Sequence, residues 1–63
     1  MNNSFLSIEQ IHEKLLEYYK EHYGERDTDR IIESMVHNIM IFERDGKKIG
    51  IKCSIRGEVT ELP

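Results

Sequence analysis

Asp45 and Gly46 sit between two runs of β-prone side chains, Ile39 to Arg44 and Lys48 to Ile55, and no other feature constrains the fold of this chain as tightly. Asp-Gly supplies the positive-φ residues that a two-residue hairpin turn needs, so an antiparallel hairpin is expected over about residues 39–56. Two registers satisfy the turn. A type I′ turn pairs Phe42 with Ile49 and Met40 with Ile51. A type I turn with Gly46 as bulge residue pairs Ile41 with Ile49 and Ile39 with Ile51. Either register leaves two large apolar residues on the face turned away from the isoleucines, Ile39 with Ile41 or Met40 with Phe42. Gly57 predicts a bend, and residues 57–63 a short further strand or a tail that ends at Pro63.

The first half of the chain has a different period. Ser7 is placed to cap a helix, with Gln10 three residues on as its capping-box partner, and Leu6 and Ile11 are spaced to form a hydrophobic staple. At about 100° per residue, Ile8, Ile11, Leu15, Leu16, Tyr18, Tyr19 and Tyr23 fall on one side, together with His12 and His22. Glu9, Gln10, Glu13, Lys14, Glu17, Lys20 and Glu21 fall on the other, and Gly24 suits a left-handed helix end. The spacing therefore predicts a helix over about residues 7–24. A second helix is predicted over about residues 28–38, capped by Asp27, Thr28 or Asp29, with Ile31, Ile32, Met35 and Val36 as its buried side. The short connection makes the two helices antiparallel neighbours. The expected fold is a single α+β domain over residues 1–63, in which two antiparallel helices pack on a β-hairpin in the order α-α-β-β.

Size sets the energetic terms. The chain has 63 residues, of which 38% are apolar and 33% charged, with a net charge of −3. A core this small rarely supplies more than ~3–5 kcal/mol without a disulfide, a metal or an oligomeric contact. Cys53 is the one cysteine, so no disulfide forms within a chain. A lone cysteine fits a reducing compartment. The first ten residues carry no positive charge and no long apolar run, and the longest apolar stretch, Ile39 to Phe42, is far below the ~20 residues that span a bilayer. A cytoplasmic protein with no membrane association is expected, and a homodimer follows by elimination of the other stabilising devices.

No chemistry-bearing motif appears. His12, His22 and His37 lack the i, i+4 spacing of a helical zinc pair, and no Cys-x-x-Cys exists, so neither a metal nor a cofactor is expected. The glycines form no phosphate loop, and Cys53 reads as a small core residue, so no catalytic residues are assigned. Two surfaces do stand out. Glu9, Glu13, Glu17 and Glu21 recur every four residues as an acidic row on the exposed helix face, a candidate docking strip whose alternative is an ordinary solvated face. The spare apolar residues of the first hairpin strand (Ile39, Met40, Ile41 and Phe42) are the second candidate for partner binding.

The leading expectation is a small non-enzymatic protein-binding regulator or adaptor that occupies a partner surface. An alternative is nucleic-acid binding by the basic hairpin through Arg44, Lys47, Lys48, Lys52 and Arg56. In architecture alone, two helices followed by a basic hairpin resemble a reduced winged helix. The second helix would then be the reader, yet it carries Asp29 and Glu33 beside Arg30, which suits phosphates poorly. A structural subunit of a larger assembly is the third reading.

Overall fold

The computed structural model describes residues 5–36 and 38–63; His37, the third histidine of the sequence, lies outside them. One helix is followed by four strands, in the order α-β-β-β-β. Helix α1 spans Ile8–Tyr18 and continues as a π-helical turn over Tyr19–Tyr23. Its start is the capping box read from the sequence. The Gln10 backbone N–H donates to Ser7 Oγ (3.2 Å), and the Ser7 N–H donates to Gln10 Oε1 (2.9 Å). Gly24 ends the helical stretch at φ 70°, a conformation that costs glycine little.

The strands β1 (Arg30–Val36), β2 (Ile39–Arg44), β3 (Lys47–Cys53) and β4 (Val59–Glu61) form one antiparallel meander in sequence order. At the β2–β3 turn both Asp45 (φ 54°) and Gly46 (φ 79°) take positive φ, the signature of a type I′ turn. The register is accordingly Phe42 opposite Ile49 and Met40 opposite Ile51. Met40, Phe42, Ile51 and Cys53 therefore share one face of the sheet and meet Ile11, Leu15 and Tyr19 of the helix in a buried core. Tyr19 and Tyr23 pack edge-on against Phe42, with ring centroids 4.8 and 5.3 Å away. Edge-to-face geometry suits the ring quadrupoles. Leu6, Tyr18, Ile49 and Val59 close the margins of the core.

The expected second helix over residues 28–38 does not exist, and with it falls the arrangement of two antiparallel helices on a hairpin. A turn closed by Asp29 N–H to the Arg26 carbonyl (3.0 Å) replaces the proposed caps, and Arg30–Val36 is strand β1. The physical reason lies in the pairing. The β1–β2 register slips between Ile31 and Glu33 and again between Ser34 and Val36. Each slip adds a residue to one strand and breaks the two-residue alternation. Two slips in seven residues leave apolar positions spaced one, four and five apart, which imitates a helix.

Among the described residues, the helix covers the sheet on one side only. Ile31 stands opposite Phe42 and so shares the helix side, yet it is 45% exposed, and its neighbour Ile32 is 41% exposed. The helix begins past the core as well: Ile8 is 73% exposed, although the helical period groups it with the buried side.

Candidate functional site

The partner-binding and nucleic-acid candidates singled out in the sequence each have a place in the fold. Glu9, Glu13, Glu17 and Glu21 are all exposed. The first three follow regular α-helical winding, whereas Glu21 lies in the π turn, whose wider winding moves it off the straight row. Two ion pairs occur among the described residues, Arg26–Asp45 and Arg44–Asp29, and neither involves the row. Lys14, which could have eased it, turns its chain end toward the β3–β4 loop, 3.7 Å from the place a Gly57 side chain would occupy. Among the described residues the row thus makes no ion pair, although Lys20 shares its side of the helical stretch.

The four apolar candidates of β2 divide in two. Met40 and Phe42 are sealed in the core and present nothing to a partner. Ile39 and Ile41 lie on the opposite, uncovered face, opposite Lys52 and Gly50 of β3. Leu62 joins them there: its backbone N–H donates to the Gly50 carbonyl (2.9 Å), and its Cδ1 lies 2.8 Å from where a Cβ of residue 50 would stand. A side chain at residue 50 would meet the Leu62 methyl, so Leu62 would have to turn aside to admit it.

The basic candidates do not form one patch. Lys48 and Lys52 lie on the uncovered face, Lys47 flanks the β2–β3 turn, and Arg56 sits in the loop at the other end of β3. Arg44 is taken up internally. Its Nε and Nη2 donate to Asp29 Oδ1 (2.8 Å) and Oδ2 (2.6 Å), and its Nη1 and Nη2 donate to the carbonyls of Tyr23 (2.8 Å) and Gly24 (2.7 Å). The guanidinium also stands 5.5 Å from the Phe42 ring centre. Arg44 thus caps the carbonyl end of the helix, where a cation is favoured. A recognition helix for a winged-helix reading is missing, since residues 30–36 are a strand.

Asp29 completes this clasp. Its side chain is only 2% exposed and accepts from Arg44, from the Tyr19 hydroxyl and from the Arg26 N–H. The Arg44 bonds, aided by those from Tyr19 and Arg26, hold its carboxyl well below the usual carboxylate range, and Asp29 in turn raises Arg44. Burial and the bond to Asp29 push the Tyr19 phenol up. Burial and a hydrogen bond to Glu61 push the Tyr23 phenol up further. Sequence reasoning missed the clasp, reading Asp29 as a cap and Arg44 as a phosphate contact. One signal was available: in the type I′ register Arg44 has the parity of Met40 and Phe42, which puts a cation on the core face in need of an anion.

Burial pushes the Cys53 thiol up, away from the reactive thiolate, and its Sγ donates to the Ser54 carbonyl. His22 stacks on Tyr18 at 3.8 Å. Among the described residues no three of His, Cys, Asp and Glu gather as a metal site, and no helix is long and apolar enough to cross a membrane. Comparison with known protein families, curated proteins and solved structures finds no significant match.

Proposed function

We propose that this protein is a small non-enzymatic protein-binding regulator or adaptor, and that it engages its partner through the outer face of α1. The observation that carries this reading is the unpaired acidic row. Glu9, Glu13 and Glu17 stand on one exposed helix face with no cation bonded to them among the described residues, and Glu21 follows in the π turn. Like charges at this spacing cost a few tenths of a kcal/mol per pair in the free protein. A basic partner surface removes that repulsion and gains long-range steering. The helix is fixed to the sheet by the Arg44 clasp, so the row is presented on a rigid element.

Nucleic-acid binding by the hairpin has less behind it, because the five basic residues are dispersed and Arg44 is occupied. The test is affinity capture from the native host, with nuclease treatment, by the wild-type chain and by a variant carrying Lys at positions 9, 13, 17 and 21. A protein captured by wild type and lost by the variant supports the row as the docking face. Equal capture by both discards that surface, and signal that vanishes with nuclease favours the nucleic-acid reading.

A further inference from the structure

We infer that the uncovered face of the sheet is a dimer interface, covered by a second copy of this chain. The register decides what that face carries. Ile39, Ile41 and Glu43 of β2 alternate with the buried Met40 and Phe42, and Lys48, Gly50 and Lys52 of β3 lie opposite them. Leu62 folds over Gly50 and brings a further apolar side chain to the middle of the face. The centre is thus aliphatic and partly exposed and the margins are charged, with no layer of the described residues above it. An antiparallel sheet exposed to water on one side ordinarily alternates to polar residues there, and Ile39 and Ile41 break that rule.

The occupant is argued from shape, area and charge. Strands of seven, six, seven and three residues, at about 3.3 Å per residue and about 4.8 Å apart, give a footprint on the order of 360 Å² per copy. Once side-chain relief is counted, two copies lose on the order of 1,000 Å², the lower bound for a specific interface. The sheet edges offer less. β4 has three residues and β1 is interrupted by two register slips, which blunt an edge against strand addition. The face is also self-complementary. Take a two-fold axis parallel to the strands and centred between β2 and β3. It sets β2 of one copy over β3 of the other at unchanged height. Glu43 then meets Lys48 of the second copy, Ile41 meets the Leu62-covered Gly50, and Ile39 meets the aliphatic stem of Lys52. All three matches recur by symmetry, as an isologous contact requires. No aromatic side chain lies on β2 or β3 positions of this face, so it lacks the stacking platform that single-stranded nucleic acid uses.

The test rests on charge exchange between chains. Wild type should sediment at the mass of two chains across the micromolar range. Glu43→Lys alone and Lys48→Glu alone each oppose like charges across the axis and should weaken self-association about tenfold or more. An equimolar mixture of the two variants should regain the two-chain mass as a heterodimer, which repair within one chain could not achieve. Wild type supplies a second readout that needs no variant to fold. Zero-length carboxyl–amine coupling, run on mixed isotope-labelled and unlabelled chains, should join Glu43 of one copy to Lys48 of the other. A wild-type mass of one chain overturns the inference. So does a dimer without that intermolecular link, and so do folded variants whose mixture fails to pair. Charge reversal of the α1 row should leave the dimer mass unchanged, which separates this interface from the docking face proposed above.

Discussion

The two ends of the helix are held by different means, and the contrast explains how a chain this short fixes one arrangement. At the N-terminal end the side-chain bonds are local, and one backbone bond reaches the β3–β4 loop. Ser7 and Gln10 satisfy each other's backbone, the Leu6 N–H donates to the Ile55 carbonyl (2.7 Å), and Ile8 stands mostly in water. At the C-terminal end the bonds reach across the molecule. Arg44 of β2 ties the last helical carbonyls to Asp29 at the threshold of β1, while Tyr23 reaches Glu61 of β4. A local cap decides only whether a helix starts. A long-range clasp decides where the helix lies on the sheet, and a buried ion pair does so only if every partner is present.

The largest effect should follow from breaking the clasp. Arg44→Ala strips a nearly buried carboxylate of its cation and leaves two helix-end carbonyls without donors. The cooperative thermal transition, followed by circular dichroism, should be lost or moved to far lower temperature. A variant that melts like wild type would mean that the clasp is incidental. The same end sets the response to pH. Asp29 is depressed, so its contribution is complete above its unfolded pKa of about 3.9 and is lost as pH falls below that value. Tyr19 is raised, so its contribution is complete below its unfolded pKa of about 10 and is lost as pH climbs beyond it. Denaturant midpoints should therefore form a plateau between these limits with a fall on each side. In Arg44→Ala the acid-side fall should shrink, because the first cause of the Asp29 depression is gone.

These same elements mark how much of the molecule could be read from its residues. The β2–β3 hairpin was legible because Asp45-Gly46 and the flanking isoleucines agree, although only the backbone angles at the turn choose between the two registers. The helix was legible from Ser7, Gln10 and the apolar period, except that nothing local shows Ile8 overhanging the core. β1 was not legible, because its irregular pairing with β2 erases the alternation that identifies a strand. Arg44 was illegible in role because its partners lie 15 and more residues away in the chain, and sequence spacing reports only neighbours. Of the candidate surfaces, the placement of Glu9, Glu13 and Glu17 was legible, whereas the π turn that moves Glu21 off their row was not. The aliphatic face was half legible, since Ile39 and Ile41 could be separated from Met40 and Phe42 only by register.

Smaller effects belong to the local end and to the periphery of the clasp. Ser7→Ala removes one half of the capping box and should cost about 1 kcal/mol, measured as a shift in denaturant midpoint with an unchanged slope. A cost that rivals Arg44→Ala would erase the contrast between the ends. Tyr23→Phe keeps the ring against Phe42 and deletes only the bond to the exposed Glu61. It should cost about 0.5–1 kcal/mol, within the range of a net hydrogen bond at a partly wet site.

The smallest effect sharpens the contrast most. Ile8→Gln replaces an apolar side chain that the isolated chain leaves 73% exposed. It places an unbranched residue of good helical propensity in the first turn, leaves the Ser7–Gln10 box intact and touches none of the clasp. Stability should change by no more than about 0.5 kcal/mol, as for an ordinary surface substitution. The measurement is a denaturant titration repeated over a range of protein concentrations. A flat result leaves the N-terminal end to the Ser7–Gln10 box and the Leu6–Ile55 backbone bond. A loss that deepens as concentration rises would show that Ile8 is covered by another molecule, because only association makes stability depend on concentration. The dimer argued above uses the opposite face of the sheet and leaves Ile8 in water, so that outcome would also relocate the interface to the helix side.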